Sequence, residues 1–129
     1  MKQIITHNAA EIRRLHQAIH DTWSHQSESR QAHDAWNEAC AAFHARYDAL
    51  AFPGGLSSAL ERLVSGDPLT AETAILFLEL RPYFFRSQYI ATKLTRRLKK
   101  LQLSSPLRQR FDVVLAAARQ HKRRKTGNA

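Results

Sequence analysis

The chain has 129 residues, of which 43% are hydrophobic and 24% are charged, and its net charge is +9. This composition is typical of one globular domain with a packed core, and it excludes wholesale disorder. The single cysteine, Cys40, excludes an internal disulfide, and the N-terminal residues lack the apolar run of a secretory signal, so we expect a cytoplasmic protein.

Charge is unevenly distributed along the chain. Residues 1–80 contain six lysines and arginines against ten acidic residues, a balance of −4. Residues 81–129 contain fourteen lysines and arginines against Asp112 alone, a balance of +13. Such an asymmetry favours an acidic partner.

The first two helices are predicted from their caps and their periodicity. Asn8 is expected to cap the first helix, with Glu11 completing a capping box. The second helix is expected to begin near Ser27 and to turn back on the first near His25. Its apolar face recurs at spacings of three and four and contains His33, Trp36, Cys40, Phe43, Tyr47 and Leu50.

Proline and glycine separate the remaining helices. A short third helix carries Leu56, Leu60, Leu63 and Val64 and ends at Gly66 in the left-handed conformation. Thr70 is expected to cap a fourth helix that reaches about Leu80, Pro82 to begin a fresh fifth helix, and Ser105-Pro106 to begin the last one. The last helix has an apolar face formed by Leu107, Phe111, Val114, Leu115 and Ala118.

These elements predict an all-α fold. We expect a compact bundle of about five to six helices, with a short helical-repeat-like stack as the alternative, because neighbouring helices are joined by short turns. Residues 1–121 are predicted to form a single helical domain and residues 122–129 a basic flexible tail.

The fifth helix carries the most organised charge. A helical projection of residues 83–102 places Tyr83, Ile90, Leu94, Leu98 and Leu101 on one arc, beside a cationic stripe. Phe85 and Tyr89 project among the cations, and both core packing and stacking remain open for these rings. The candidate binding residues are Arg86, Tyr89, Lys93, Arg96, Arg97, Lys100, Lys122, Arg123, Arg124 and Lys125, with Phe85 as a possible aromatic anchor.

Three partners fit such a surface: a nucleic acid, an acidic protein surface and anionic lipid. We expect nucleic-acid binding first, because lysine and arginine neutralise phosphates and single strands also offer bases that stack on aromatic rings. A protein-interaction module, such as an inhibitor, immunity factor or adaptor, is the alternative. Lipid is the weakest of the three, because the apolar arc is needed inside the bundle. No segment is apolar over the length of a membrane span.

Catalytic and metal-binding patterns are sparse. The sequence lacks a phosphate-cradling glycine loop, a nucleophile elbow and a two-cysteine metal pair, so we expect no enzyme activity and no cofactor. His16, His20 and His33, with Asp34 nearby, form the one metal arrangement worth testing. A hydrogen-bonded His33 and a core role for Cys40 are the competing explanations.

Overall fold

The computed structural model describes residues 1–127, with side chains described as far as Lys122. Within that range the secondary structure is helical and contains no strand. In chain order the helices are α1 (Lys2–Trp23), α2 (Arg30–Ala51), α3 (Leu56–Val64), α4 (Pro68–Leu80), α5 (Ser87–Lys99) and α6 (Ser105–Gly127). The predicted all-α fold is confirmed.

α4 is the central helix of the bundle, and α1, α3, α5 and α6 all pack against it. Its sequence is apolar around most of the circumference, as expected of a helix that is enclosed by others. The buried members are Thr70, Ala71, Thr73, Ala74, Ile75, Phe77 and Leu78. Because α1 and α6 reach α4 from distant parts of the sequence, the architecture is a compact bundle and not a stack in which each unit contacts only its neighbours.

The aromatic centre of the core lies on α4. The ring centroid of Phe77 is 5.8 Å from that of Phe52 and 6.2 Å from that of Phe84. Leu94 of α5 and Phe111 of α6 are both fully buried against this centre. One continuous core therefore holds the helices together.

The N-terminal caps differ from the predicted ones. α1 begins at Lys2, so Asn8 lies inside the helix and does not cap it, because Ile5 and Ala9 extend the buried face toward the N-terminus. α2 begins at Arg30 with Ser29 as its cap, whose side chain accepts from the Ala32 amide. The sequence contains several residues able to cap, and tertiary packing selects among them.

The cap of α4 is also corrected. Asp67 caps the helix and accepts a hydrogen bond from the Thr70 amide at 3.1 Å, while Pro68 occupies the first helical position. Thr70 instead donates its hydroxyl to Asp67. These hydrogen bonds lower the pKa of the Asp67 carboxyl. The predicted end of α3 is correct, since Gly66 has a φ of +84°.

Residues 81–86 form a loop between α4 and α5, and the predicted helix through residue 83 is wrong there. Arg81 and Arg86, at the two ends of this loop, adopt left-handed backbone conformations with φ of 49° and 64°. Inside it, Tyr83 is 79% exposed and Phe84 is buried. α5 is a separate helix, as predicted, but it begins at Ser87 and not at Pro82.

α1 and α2 form an antiparallel hairpin whose outer half extends beyond the core. From residue 16 to residue 42, all of which the structure describes, no residue is fully buried. The rings of Trp23 and Trp36 lie 5.1 Å apart near the outer end, and Trp23 is 55% exposed. Contacts between the two helices themselves hold this segment together.

α6 begins at Ser105 and continues through Gly127. The predicted domain boundary after residue 121 falls within this helix, and the flexibility of residues 122–129 stays a prediction. No helix within the described range combines the length and the apolar character of a membrane span.

Candidate functional site

One face of α5 is buried in the core, and this orients its charged face outward. Ile90, Leu94 and Leu98 follow one another at intervals of four residues and are buried. α5 packs on α3 and α4 through this face. The side chains beside the buried stripe are therefore placed next to α3, at the surface of the bundle.

An open groove of about 490 Å³ lies between α3 and α5. Both helices and the residues that follow α5 contribute to its walls. The lining residues are Leu63, Val64, Lys93, Arg96, Arg97, Lys100 and Leu101. We call this feature the basic groove.

Four of the predicted binding residues thus line one feature: Lys93, Arg96, Arg97 and Lys100. Their spacing places them on adjacent turns of one helix face, where like charges repel and raise the local positive potential. Among the side chains that the structure describes, none of the four forms an ion pair.

Helix stability explains only part of this cluster. Arg96, Arg97 and Lys99 occupy the last turn of α5, where the helix dipole favours cations. Lys93 lies earlier in the helix, so the dipole gives no comparable reason for its charge. The helix dipole therefore does not account for the whole cluster, and grouping charges of one sign raises the positive potential of this surface.

Other cations of the C-terminal third serve the fold. The guanidinium of Arg110 contacts Glu79 at 2.5 Å and Glu72 at 3.6 Å, both on α4. The hydrogen bond with Glu79 raises the pKa of Arg110. Arg108 lies 3.5 Å from Asp112 within α6. These contacts pair Arg108 and Arg110 with nearby carboxylates, whereas the groove cations meet no carboxylate among the side chains that the structure describes.

Tyr89 continues the cationic face toward the start of α5. Its ring is 55% exposed, and the Lys93 Nζ lies 5.1 Å from the ring centroid, within the range of a cation–π contact. Spacings of four, three and four residues join Tyr89 to Lys93, Arg96 and Lys100. This face extends about 16 Å at 1.5 Å per residue.

Phe85 has a different environment. Its ring centroid lies 4.9 Å from that of His16 and 5.7 Å from that of Phe43, and the side chain is 42% exposed. The Tyr47 hydroxyl donates a hydrogen bond to the Phe85 carbonyl at 2.6 Å. Of the two rings whose role remained open, Phe85 packs against α1 and α2 and Tyr89 points to solvent.

Arg86 lies with Phe85 and not in the basic groove. Its guanidinium carbon is 5.5 Å from the Phe85 ring centroid. Burial raises the pKa of the neighbouring Tyr47, and the charge of Arg86 lowers it in part. The predicted stripe grouped Arg86 with Lys93 because it assumed a helix across residues 83–86, where the chain is a loop.

The C-terminal cations are placed only in part. Lys122 is exposed on α6. The side chains of Arg123, Arg124 and Lys125 lie outside the described residues. Their proposed contribution to binding stays a prediction.

The structure does not bring His16, His20 and His33 together as a metal site. His16 and His20 have ring centroids 4.8 Å apart, but His33 is elsewhere, with Nδ1 3.0 Å from the Gln26 Oε1 and its ring against Trp36. A hairpin that turns near His25 places His16 level with Asp34. In the structure the His16 ring centroid instead lies 5.5 Å from that of Phe43, because the hairpin turns close to the start of α2 and not at His25. In the described part of the chain, no three histidine, cysteine or acidic residues are grouped to hold a metal.

Cys40 and Val64 also differ from expectation. Cys40 is half-buried and lies outside the buried core. Val64, predicted on the apolar face of α3, is 63% exposed in the wall of the basic groove. The apolar arc of α3 is wider than its contact with the core, but the sequence does not indicate which helix the exposed part of this arc faces.

Comparison with known proteins adds no relative: no family model, no curated protein and no solved structure matches the chain.

Proposed function

We propose that the protein is a non-enzymatic nucleic-acid-binding protein whose contact surface is the basic groove together with Tyr89. The observation that carries the proposal is the set of four groove cations, three on adjacent turns of α5 and Lys100 directly after it, without an ion pair among the described side chains. The helix dipole favours Arg96 and Arg97 in the last turn of α5, but it gives no comparable reason for the charge of Lys93. The phosphates of a nucleic acid repeat along the strand, so they can neutralise several such charges in a row.

Binding in this proposal is mainly electrostatic and largely independent of base sequence. Lysine and arginine that neutralise phosphates release condensed counterions, so affinity falls steeply as salt increases. Contacts to phosphates fix position but carry no sequence information. We place this role in the cytoplasm, where Cys40 remains reduced. The cations from Lys122 to Lys125 add to the electrostatic attraction of the nucleic acid.

The test is a charge reversal in the groove with a matched control. Arg96 and Lys100 are exposed, so Arg96→Glu/Lys100→Glu leaves the core intact. Lys2→Glu/Arg30→Glu makes the same change in net charge at the exposed starts of α1 and α2, where an acidic residue suits the helix dipole. Fluorescence anisotropy with single-stranded and duplex oligonucleotides measures affinity across a salt series.

We expect the groove variant to bind at least about tenfold more weakly than the parent and the control variant to bind nearly as the parent does. The slope of log affinity against log salt should decrease by about 0.7 to 0.9 for each phosphate that the variant no longer neutralises. The proposal is overturned if the parent binds no nucleic acid at about 50 mM salt, or if the two variants lose affinity equally.

An acidic protein is the second candidate partner. The exposed Val64 and the half-buried Leu101 in the same groove favour it, because a protein segment can cover these apolar side chains while its carboxylates meet the cations. A nuclease-treated pull-down separates the two candidates. Recovery of one acidic protein that the groove variant fails to recover supports the second candidate.

A further inference from the structure

An exposed aromatic ring stands at one end of the row of groove cations. Tyr89 precedes Lys93 by one turn of α5, and more than half of its side chain is open to solvent. Among the described residues, none forms a hydrogen bond with its hydroxyl and no aromatic ring packs on it. In the described part of the chain, the one cation over its ring is Lys93, whose Nζ lies 5.1 Å from the ring centroid.

The ring of Tyr89 and the cation of Lys93, on adjacent turns of α5, suit the base and the phosphate of a nucleotide. The face of a tyrosine ring stacks on a base, and a neighbouring lysine meets a phosphate. In a duplex the base faces are covered by their neighbours in the stack, and only the phosphates are available to this surface. An unpaired strand offers both.

The groove wall supports the same conclusion. Val64, which is 63% exposed, and the half-buried Leu101 present apolar surface beside the cations. A purely ionic partner gains nothing from this surface, whereas an unstacked base or a sugar covers it.

We infer that the basic groove takes single-stranded nucleic acid, with one base stacked on Tyr89 and the adjoining phosphates on Lys93, Arg96 and Lys100. This inference rests on the proposed function and adds the class of nucleic acid. Phe85 has no such role, because its ring is already packed against His16 and Phe43. The length of the face, about 16 Å at 1.5 Å per residue, accommodates a few nucleotides.

Two exposed tyrosines make a matched comparison possible. Tyr83 is 79% exposed and lies in the loop before α5, so it is not on the helix face that carries Tyr89 and the groove cations. Tyr83→Ala therefore removes an equal ring without touching the site. Tyr89→Ala removes the stacking face, and Tyr89→Phe keeps the face and removes only the hydroxyl.

The experiment measures the affinity of each variant for a single strand of roughly 8 nucleotides, a length within the site sizes typical of such grooves, and for a duplex of the same length. We expect the parent to prefer the single strand and Tyr89→Ala to lose about tenfold in affinity for it. Affinity of Tyr89→Ala for the duplex should change little. Tyr89→Phe and Tyr83→Ala should bind the single strand as the parent does.

The outcomes separate this inference from the function on which it rests. If Arg96→Glu/Lys100→Glu weakens binding but Tyr89→Ala does not, the single-strand inference fails and nucleic-acid binding stands. If Tyr89→Ala weakens single-strand and duplex binding equally, the ring acts only by positioning Lys93 and the inference fails. If neither nucleic acid binds the parent, both proposals fail.

Discussion

Arg110 of α6 donates two hydrogen bonds to the carboxylate of Glu79 on α4, with Nη2 2.5 Å from Oε1 and Nε 3.2 Å from Oε2. This two-bond contact attaches the last helix to the central one. It pairs Glu79, an acidic residue of the first 80 residues, with a cation of the basic C-terminal segment. Arg110 of α6 thus helps to hold the fold, whereas the groove cations of α5 form no ion pair with any side chain in the described range.

Removing Arg110 should destabilise the bundle moderately. Both side chains are about one third exposed, so solvent weakens the pair, and we expect a coupling of about 1 kcal/mol between Arg110→Ala and Glu79→Ala in a double-mutant cycle. Urea denaturation measures it. Arg108→Ala is the control, because its contact with Asp112 is longer and more exposed and should contribute less than about 0.5 kcal/mol. Equal losses for the two arginines would contradict the special role of Arg110.

The core should depend on Phe77. Its side chain is 2% exposed and contacts the rings of Phe52 and Phe84, so Phe77→Ala leaves a cavity at the centre of the bundle. We expect a loss of about 3 to 5 kcal/mol in the free energy of unfolding, measured with urea. Leu69→Ala on the same helix removes a side chain that is 66% exposed and should change stability by less than about 0.5 kcal/mol. Similar losses for both variants would show that α4 is not enclosed as described.

The helices follow from local sequence to a large extent. Breakers fall where helices end, and Gly66 adopts the left-handed conformation that its position after α3 requires. The loop of residues 81–86 does not follow from local sequence. Its carbonyls at Tyr83 and Phe85 accept hydrogen bonds from Arg13 and Tyr47, which lie 70 and 38 residues earlier. Nothing in the sequence of residues 81–86 indicates that Arg13 and Tyr47 donate these hydrogen bonds.

The candidate site, like the fold, could be predicted only in part from the sequence. The grouping of Lys93, Arg96, Arg97 and Lys100 could be predicted, because the geometry of a single helix places them together. The opposite wall could not, because Leu63 and Val64 come from α3 and meet α5 only through tertiary packing. The exposure of Tyr89 and the packing of Phe85 likewise depend on which neighbours each ring meets.

The left-handed backbone at Arg81 offers a stabilising substitution. A residue with a Cβ is strained at a φ of 49°, whereas glycine is not, and the end of a helix is where glycine is common in this conformation. Arg81→Gly should raise the free energy of unfolding by up to about 1 kcal/mol, since the greater flexibility of glycine in the unfolded chain offsets part of the gain. Arg81→Ala keeps the Cβ and should leave stability nearly unchanged. Equal effects of the two substitutions would contradict backbone strain as the cause.

Glu11 should make stability depend on pH in the acid range. Its carboxylate accepts hydrogen bonds from Arg14 at 2.5 Å and from Arg46 of α2 at 2.8 Å. These bonds lower the pKa of Glu11 from 4.5 to about 2. Between these values the unfolded chain binds a proton that the folded chain does not, so the contribution of Glu11 is fully present above pH 4.5 and is lost as the pH falls toward about 2.

Glu11→Gln should therefore be less stable than the parent at neutral pH, and the difference should narrow as the pH falls from 4.5 toward 2. Urea midpoints of both proteins across this range measure the difference. Glu38→Gln removes an exposed carboxylate of α2 that forms no ion pair with any side chain in the described range, and its effect should be small throughout. If the difference between parent and Glu11→Gln stays constant down to pH 2, the contact with Arg14 and Arg46 does not couple the protonation of Glu11 to folding.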